Sequence, residues 1–490
     1  MVLLSVSSVF PQWPQWFNPA GLARFDEVVQ RGELEVVYEN ERREEQIMVK
    51  TTAREWTFDE AIQQIGFGRF QRKLMIICGA GWAADAMEVL LISFALPAVI
   101  REWGLSKAQA GFIGTAIFLG MLAGAWFWGT ISDYIGRKTG FQATVLIDSV
   151  FGFLSALSPN FLVLALLRGL TGFGVGGTLP VDYSIFAEYL PTEKRGRYLV
   201  YLESFWALGT IVAAGLAWLV VPRFGWRVLL AISALPGLIV YFIRRYVPES
   251  PRYLLVEGRE TEALAVLRQV AAENGVEFPV ERLRVEKRKR RVTVSALWTP
   301  RFARTTAMFW ITWFCISLGY YGVFIWLPSI FVERGFTFLR TYQNVFLMAL
   351  AQLPGYFSAA YLVERVGRKA TLGVYLILSG LFTYLFAVTG ELSLIVGSAV
   401  LMSFFCLGAW GILYAYTPES YPTEMRATGM GWASGMTRIA GAIAPTLGGY
   451  LLPISLVAAL SLYAVAFAVG GLAVLALGTE TRGRPLLDTV

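Results

Sequence analysis

The sequence predicts an all-α membrane protein of twelve transmembrane helices, arranged as two parallel six-helix repeats. Three observations carry that expectation. The 490 residues are 56% hydrophobic and only 16% charged, with a mean hydropathy of +0.55, whereas a soluble domain carries about 25% charged residues. Twelve apolar runs, each near the ~20 residues needed to cross a bilayer core, are spread along the chain. Three loop motifs of the first half recur in the second half at one fixed offset.

The apolar runs fall near 74–98, 109–131, 140–157, 161–186, 198–222 and 227–246, then near 304–332, 343–363, 371–389, 392–415, 429–452 and 456–478. Several contain Gly or Pro, which membrane helices tolerate because neighbouring helices satisfy the freed backbone groups. The chain therefore divides into a tail and lead-in (1–70), a first bundle (71–246), a polar connector (247–303), a second bundle (304–478) and a short tail (479–490). Residues 2–10 are apolar, but no basic region precedes them and Pro11, Pro14 and Pro19 follow closely, so a cleavable signal is not expected. The first 50 residues read as a loosely ordered tail.

Lys and Arg set the expected orientation. Loops after spans 2, 4, 8 and 10 carry more of them than the opposite loops, and the connector adds the run Lys287–Arg291. Both termini and the connector are therefore expected in the cytoplasm. Within the connector, Ala263, Leu264, Leu267 and Val270 share a helical face, which predicts a short amphipathic helix. The net charge of +7 lies between apolar segments, so it reads as membrane orientation and no nucleic-acid partner is expected.

The repeat is visible in the letters. Asp133, Gly136, Arg137 and Lys138 correspond to Glu364, Gly367, Arg368 and Lys369, 231 residues on. The same spacing relates Glu188, Pro191, Thr192, Glu193 and Arg195 to Glu419, Pro422, Thr423, Glu424 and Arg426. It also relates Glu249 to Glu480. Six spans per copy is an even number, so the second copy enters from the same side as the first. The pseudo-two-fold axis then runs along the membrane normal, and the expected site lies near the midplane between the halves.

Composition also excludes chemistry. Cys78, Cys315 and Cys406 are scattered in apolar runs, which suits neither a disulfide framework nor a metal site. Histidine is absent, which removes His-based metal sites and Ser–His or Cys–His pairs. With no Walker loop either, no enzyme, cofactor or metal centre is expected.

The motifs together resemble the major facilitator superfamily over roughly residues 57–485. Pro248-Glu-Ser-Pro-Arg252 and Glu480-Thr-Arg-Gly483 resemble sugar-porter signatures, although Thr479 stands where the second signature usually has proline. Gly66–Gln71, Ala84–Glu88, Leu167–Gly177 and Tyr416–Thr423 are similar to the group of synaptic-vesicle two-related proteins and bacterial niacin transporters. The resemblance implies a major facilitator fold and secondary transport of a small organic solute by alternating access, coupled to protons. Without histidine, coupling has to use carboxylates. An aromatic monocarboxylate such as nicotinate (niacin) is the first expectation, a sugar or other polar metabolite the second and a drug or organic cation the third. A transporter-like membrane protein that only binds or regulates is the alternative of another class. Compact outer loops and the lack of an Asn-x-Ser/Thr sequon suit a bacterial inner membrane. A monomer working with a small substrate, protons and the lipid bilayer is the expected unit.

Ionisable residues at membrane depth are costly and usually functional. In span 1, Asp85 and Glu88 lie on one face, Asp85 about 17 Å into the helix at 1.5 Å per residue. In span 4, Arg168 sits in a Gly-rich run that permits close helix approach. The resemblance pairs Asp85 with Arg168 in proton coupling, and Glu88 joins them as a coupling candidate on the same helix face; a permanent ion pair that fixes packing is the other reading. Asp148 and Glu203 are either substrate contacts or packing residues, and Asp182 is close enough to a helix end to reach water. Arg438 either binds an anion or satisfies backbone carbonyls. Most of the second-half aromatics suit the lipid interface, but Tyr320, Tyr321, Trp410 and Tyr414, with Trp206 beside Glu203, are placed to line a cavity. Together with Asp148, Arg168, Glu203 and Arg438 they form the expected substrate-binding set. At the cytoplasmic mouth, Asp133, Gly136, Arg137, Glu188, Arg195, Glu364, Arg368, Glu419 and Arg426 are expected to bias a two-state gate.

Overall fold

A computed structural model describes residues 34–39, 46–51, 55–284 and 293–482. The basic run Lys287–Arg291 lies outside the described residues, as does the side chain of Asp133. Among the described residues, twelve long helices build the two bundles. The first half contains α1 (Arg69–Trp103), α2 (Lys107–Ile135), α3 (Arg137–Ser155) and α4 (Phe161–Glu188). A helical stretch over Thr192–Ala231 then breaks at Gly225, whose φ of 80° only glycine adopts easily. We call the part before the break α5; α6 follows it, through the tighter turn Ile232–Leu238, to Tyr246. The second half contains α7 (Ala303–Phe324), α8 (Phe338–Arg365), α9 (Arg368–Val388), α10 (Leu392–Glu419), α11 (Thr423–Leu451) and α12 (Leu456–Leu477).

Among the described residues, nine helical stretches are long and apolar enough to span a membrane, one of them being α5 and α6 counted together. The two spans that fall short are α3 and α11. They hold Gln142 and Asp148, and Arg438 with several glycines, respectively. Polar residues that lower the hydropathy of a span are the ones a midplane site needs.

Close approach of backbones holds the first half together. A Cβ on Gly120 in α2 would come within 1.9 Å of the Gly169 carbonyl oxygen in α4, and one on Gly172 within 2.0 Å of that of Ile117. Small residues at such crossings let dispersion contacts do what hydrophobic exclusion does in water. The two halves meet in the part of the bundle away from the connector. There Lys107 pairs with Glu333 at 2.8 Å, Thr115 Oγ1 donates to the Ala442 carbonyl at 2.6 Å, and Tyr342 Oη donates to that of Phe94 at 2.7 Å.

A small polar cap covers the connector side of the first half. Its lead-in helix Phe58–Ile65 starts with a capping box between Thr57 and Glu60 and buries Phe58, Ala61, Ile62 and Ile65. The connector helix Glu260–Asn274 buries Ala263, Leu264, Leu267 and Val270, the face expected from their spacing. Asn274 accepts from the Phe70 backbone N–H at 2.9 Å, which ties this cap to the start of α1. The strands Leu34–Glu39 and Gln46–Thr51 pair antiparallel, where the sequence suggested only a loose tail.

Candidate functional site

A cavity with about 40 Å³ of water-accessible room lies between the halves. From the first half, α1 contributes Trp82 and Asp85, one turn apart, and α5 contributes Glu203 and Trp206, also one turn apart. From the second half, α7 contributes Tyr320 and Tyr321, α8 Tyr356, α10 Trp410 and Tyr414, and α11 Thr437 and Arg438. The rings form a continuous wall: Trp82 and Trp206 centroids are 5.4 Å apart, and Tyr320 and Trp410 6.1 Å. Trp206 Nε1 donates to Tyr320 Oη at 3.3 Å, joining the halves.

The polar atoms of this wall are largely unsatisfied. Arg438 is 7% exposed; its Nη1 donates to the Ser434 carbonyl at 3.3 Å, while its Nε has no hydrogen-bond partner. Neither oxygen of buried Asp85 is hydrogen-bonded, and Glu203 Oε1 is also unpartnered. Asp85 and Arg438 are close enough to interact electrostatically. Buried polar groups without partners are uncommon, and here they converge on one space.

Glu88, rather than Asp85, meets Arg168. Arg168 Nη1 lies 3.2 Å from Glu88 Oε2, and both side chains are 0% exposed. Arg168 Nε donates to Ser155 Oγ at 3.1 Å and Nη2 to Thr171 Oγ1 at 3.0 Å. The expected pairing with Asp85 fails by one helical turn. Since α1 and α4 run in opposite directions, the carboxylate one turn further along α1 reaches the level of Arg168, early in α4. Arg168 and Asp148 were expected to touch substrate, yet both lie outside the cavity lining. Asp148 is buried where α3 packs on α4, and accepts from Ser149 Oγ at 3.0 Å. Asp182, expected to reach water, is fully buried beside Cys78.

At the connector side the repeat motifs form two matching networks. In the first half, Glu249 Oε1 accepts from the backbone N–H groups of Arg137 at 2.8 Å and Lys138 at 3.1 Å. In the second, Glu480 accepts from those of Arg368 at 2.9 Å and Lys369 at 3.1 Å. Each carboxylate thereby caps the positive end of a helix, α3 or α9. Gly136 and Gly367, at φ 95° and 114°, leave room for it: a Cβ on either would come within 2.3 Å of Glu249 or Glu480 Oε2. Burial pushes Glu480 up, but the backbone N–H groups of Arg482, Arg368, Lys369 and Thr481 outweigh it and hold the carboxyl below its usual range.

The side chains follow the same plan. Arg137 Nε lies 3.8 Å from Glu188, which also accepts from Ser250 Oγ. Arg368 grips Glu419 with two bonds of 3.0 and 3.2 Å, and Thr481 Oγ1 donates to Glu419 at 2.8 Å. Glu364 pairs with Arg368 at 3.0 Å. Arg195 reaches Asp59 at 3.5 Å, and Arg426 Nε donates to the Pro418 carbonyl at 2.9 Å. Each of these contacts joins parts of one half. The sequence reading did not count Glu249 and Glu480 as mouth residues, although the 231-residue spacing had already aligned them. It also missed Trp82 and Tyr356 in the cavity wall.

Residues 43–489 match the family model described as Sugar (and other) transporter. The chain is 41% identical over 435 residues to the niacin transporter NiaP of Acinetobacter baylyi, covering 87% of this chain and 98% of that protein. It is 34% identical over 452 residues to the synaptic vesicle 2-related protein of Xenopus laevis, with 88% and 82% covered. Among solved structures, it superposes on the xylose transporter XylE from E. coli in a partially occluded inward open conformation, with a TM-score of 0.69. That match covers 82% of this chain and 98% of XylE at 14% identity, a level that speaks for the fold alone. The chain belongs to the sugar (and other) transporter family of the major facilitator superfamily, and is a multi-pass membrane transporter of small solutes.

Proposed function

We propose that this transporter carries a small aromatic monocarboxylate, with nicotinate the best fit, by proton-coupled alternating access in a bacterial inner membrane. Arg438 is the observation that carries the reading. An incompletely satisfied guanidinium at membrane depth is costly, and a carboxylate relieves it with two parallel charge-assisted bonds. Around it, the rings of Trp82, Trp206, Tyr320 and Trp410 offer faces and edges to a planar solute. The likeness to a protein named niacin transporter supports the same substrate. A sugar's hydroxyls could accept from Arg438 but would leave its charge uncompensated, which favours an anionic solute.

Coupling rests on Asp85. It shares the cavity with Arg438, so a substrate carboxylate that engages Arg438 competes with Asp85 for the same cation. A proton on Asp85 removes the charge left behind, and substrate and proton then travel together. Glu88 and Arg168 stand one turn deeper as a fixed counter-charge. With the termini in the cytoplasm, contact between the halves lies towards the outside and release is inward. Uptake of labelled nicotinate into proteoliposomes, with and without an imposed pH gradient, tests the reading. Accumulation should require the gradient and should vanish in Arg438→Ala. Wild-type protein that takes up xylose but neither accumulates nor exchanges nicotinate would overturn it.

A further inference from the structure

The reading above leaves one cavity carboxylate unused. Glu203 lies on α5, 2% exposed, and its Oε1 has no hydrogen-bond partner. The Tyr183 hydroxyl and the Trp82 indole lie beside it, but Tyr183 Oη is committed to the Leu199 carbonyl at 3.2 Å. The buried cation of its own half, Arg168, is committed to Glu88, Ser155 and Thr171. Glu203 and Arg438 line the same cavity from opposite halves, with Tyr321 and Tyr414 in the same wall. The cavity thus has an acid on one wall, a base on the other and aromatic rings between them. A benzene ring bearing one carboxylate would answer Arg438 and leave Glu203 unmatched.

Resting on the aromatic-carboxylate reading, we propose that Glu203 holds the ring nitrogen of the substrate and selects pyridine carboxylates over their carbocyclic analogues. The substrate carboxylate sits on Arg438 of the second half while its nitrogen faces Glu203 of the first. One proton lies between nitrogen and carboxyl oxygen. Either the acid O–H donates to the pyridine lone pair, or the pyridinium N–H donates to the carboxylate. Both arrangements make one bond of the charge-assisted or acid–base kind in a water-poor site, where the unmatched polar group would otherwise go unsatisfied. A site built to hydrogen-bond one atom of a solute rejects analogues lacking that atom far more strongly than a greasy slot does. A rigid ring held at both ends also ties the halves together, which a monodentate ligand cannot do.

The test is equilibrium binding of nicotinate, benzoate and nicotinamide to the purified full-length transporter and to Glu203→Gln. Wild-type protein should bind nicotinate at least tenfold more tightly than benzoate. In Glu203→Gln that ratio should fall to near one. A ratio that stays tenfold in Glu203→Gln, or in Glu203→Met where the first variant fails to fold, would overturn the role of Glu203, because Trp82 and Trp410 also hold unpartnered indole N–H groups in this cavity. Equal wild-type affinities for nicotinate and benzoate would overturn the role of Glu203 and leave the Arg438 reading standing. Nicotinamide bound as tightly as nicotinate, with benzoate weak, would uphold Glu203 and overturn the Arg438 reading. Binding of neither acid would sink both.

Discussion

At the connector side the two halves carry the same parts in the same places. Arg137, Glu188, Glu249 and Ser250 stand where Arg368, Glu419, Glu480 and Thr481 stand, 231 residues later, and each set makes equivalent contacts. Within the bundles the correspondence survives in packing, as where Trp82 and Tyr183 pair edge-on at 6.4 Å and their counterparts Trp313 and Tyr414 at 4.9 Å. It fails for every charge. Asp85, Glu88, Asp148, Arg168, Asp182 and Glu203 correspond to Ile316, Gly319, Ser379, Ala399, Leu413 and Ser434, while Arg438 corresponds to Ala207. Parts that hold each bundle rigid serve both bundles alike, so they stay duplicated. A single solute and its proton need one site, so the chemistry is divided. Carboxylates gather in the first half and the cavity cation comes from the second.

The sharpest test of that division removes its second-half member. Arg438→Ala should weaken nicotinate binding by about 2–5 kcal/mol, the usual cost of truncating a buried charge that pairs with a ligand. Arg438→Lys should recover part of it, because a point charge cannot give two parallel bonds. Titration of the purified variants measures both. Unchanged affinity in Arg438→Ala would mean that the second half supplies only rings.

Next in size is the contrast between Glu88 and Asp85. Glu88→Gln strands Arg168 in the membrane interior, so a stability loss of about 3–5 kcal/mol is expected. Asp85→Asn breaks no hydrogen bond, so the protein should stay folded and continue substrate exchange, while losing gradient-driven accumulation. Thermal unfolding separates the first effect, and proteoliposome uptake the second. If Asp85→Asn still accumulates nicotinate up to the wild-type level, Asp85 does not carry the proton.

Much of this was legible in the chain itself. Long apolar runs gave the spans, and the repeated Gly-Arg-Lys loops gave the parallel halves, because both are local features of the letters. Trp206, Tyr320, Tyr321, Trp410 and Tyr414 were expected at the cavity from their depth and type, Glu203 and Arg438 were candidates with a packing alternative, and all seven line it. The partner of Arg168 was not legible. It depends on how far α4 slides along α1, and a shift of one turn exchanges Asp85 for Glu88. The burial of Asp182 likewise depends on which neighbour covers a helix end, here Cys78.

A matched pair of substitutions sharpens the symmetry at the mouth. Gly136→Ala and Gly367→Ala each force a side chain into a left-handed backbone and onto a capping carboxylate. Each should cost about 1–2 kcal/mol of stability, and the two losses should agree. Affinity for substrate should hardly move, since neither residue approaches the cavity. A loss confined to one variant, read by thermal unfolding, would show that the halves share letters at the mouth without sharing mechanics.

The smallest effect concerns acid. Backbone N–H groups hold the Glu480 carboxyl below its ordinary value of 4.5 against the opposing pull of burial. A carboxyl held down in the folded protein contributes stability above its unfolded value and loses it as pH falls through the folded one. Protonation would strip the charge that caps α9, leaving the N–H groups of Arg368 and Lys369 with a weaker acceptor. Wild-type protein should therefore unfold at a higher temperature than Glu480→Gln at neutral pH, and the gap should shrink only below the usual carboxylate range. A gap that closes instead between pH 5 and 7 would mean that some other group, titrating nearer neutrality, governs this end of the second half. The neutral amide of the variant keeps the side chain's size, so any gap reports the lost charge and the acceptor oxygen lost with it, and not the packing.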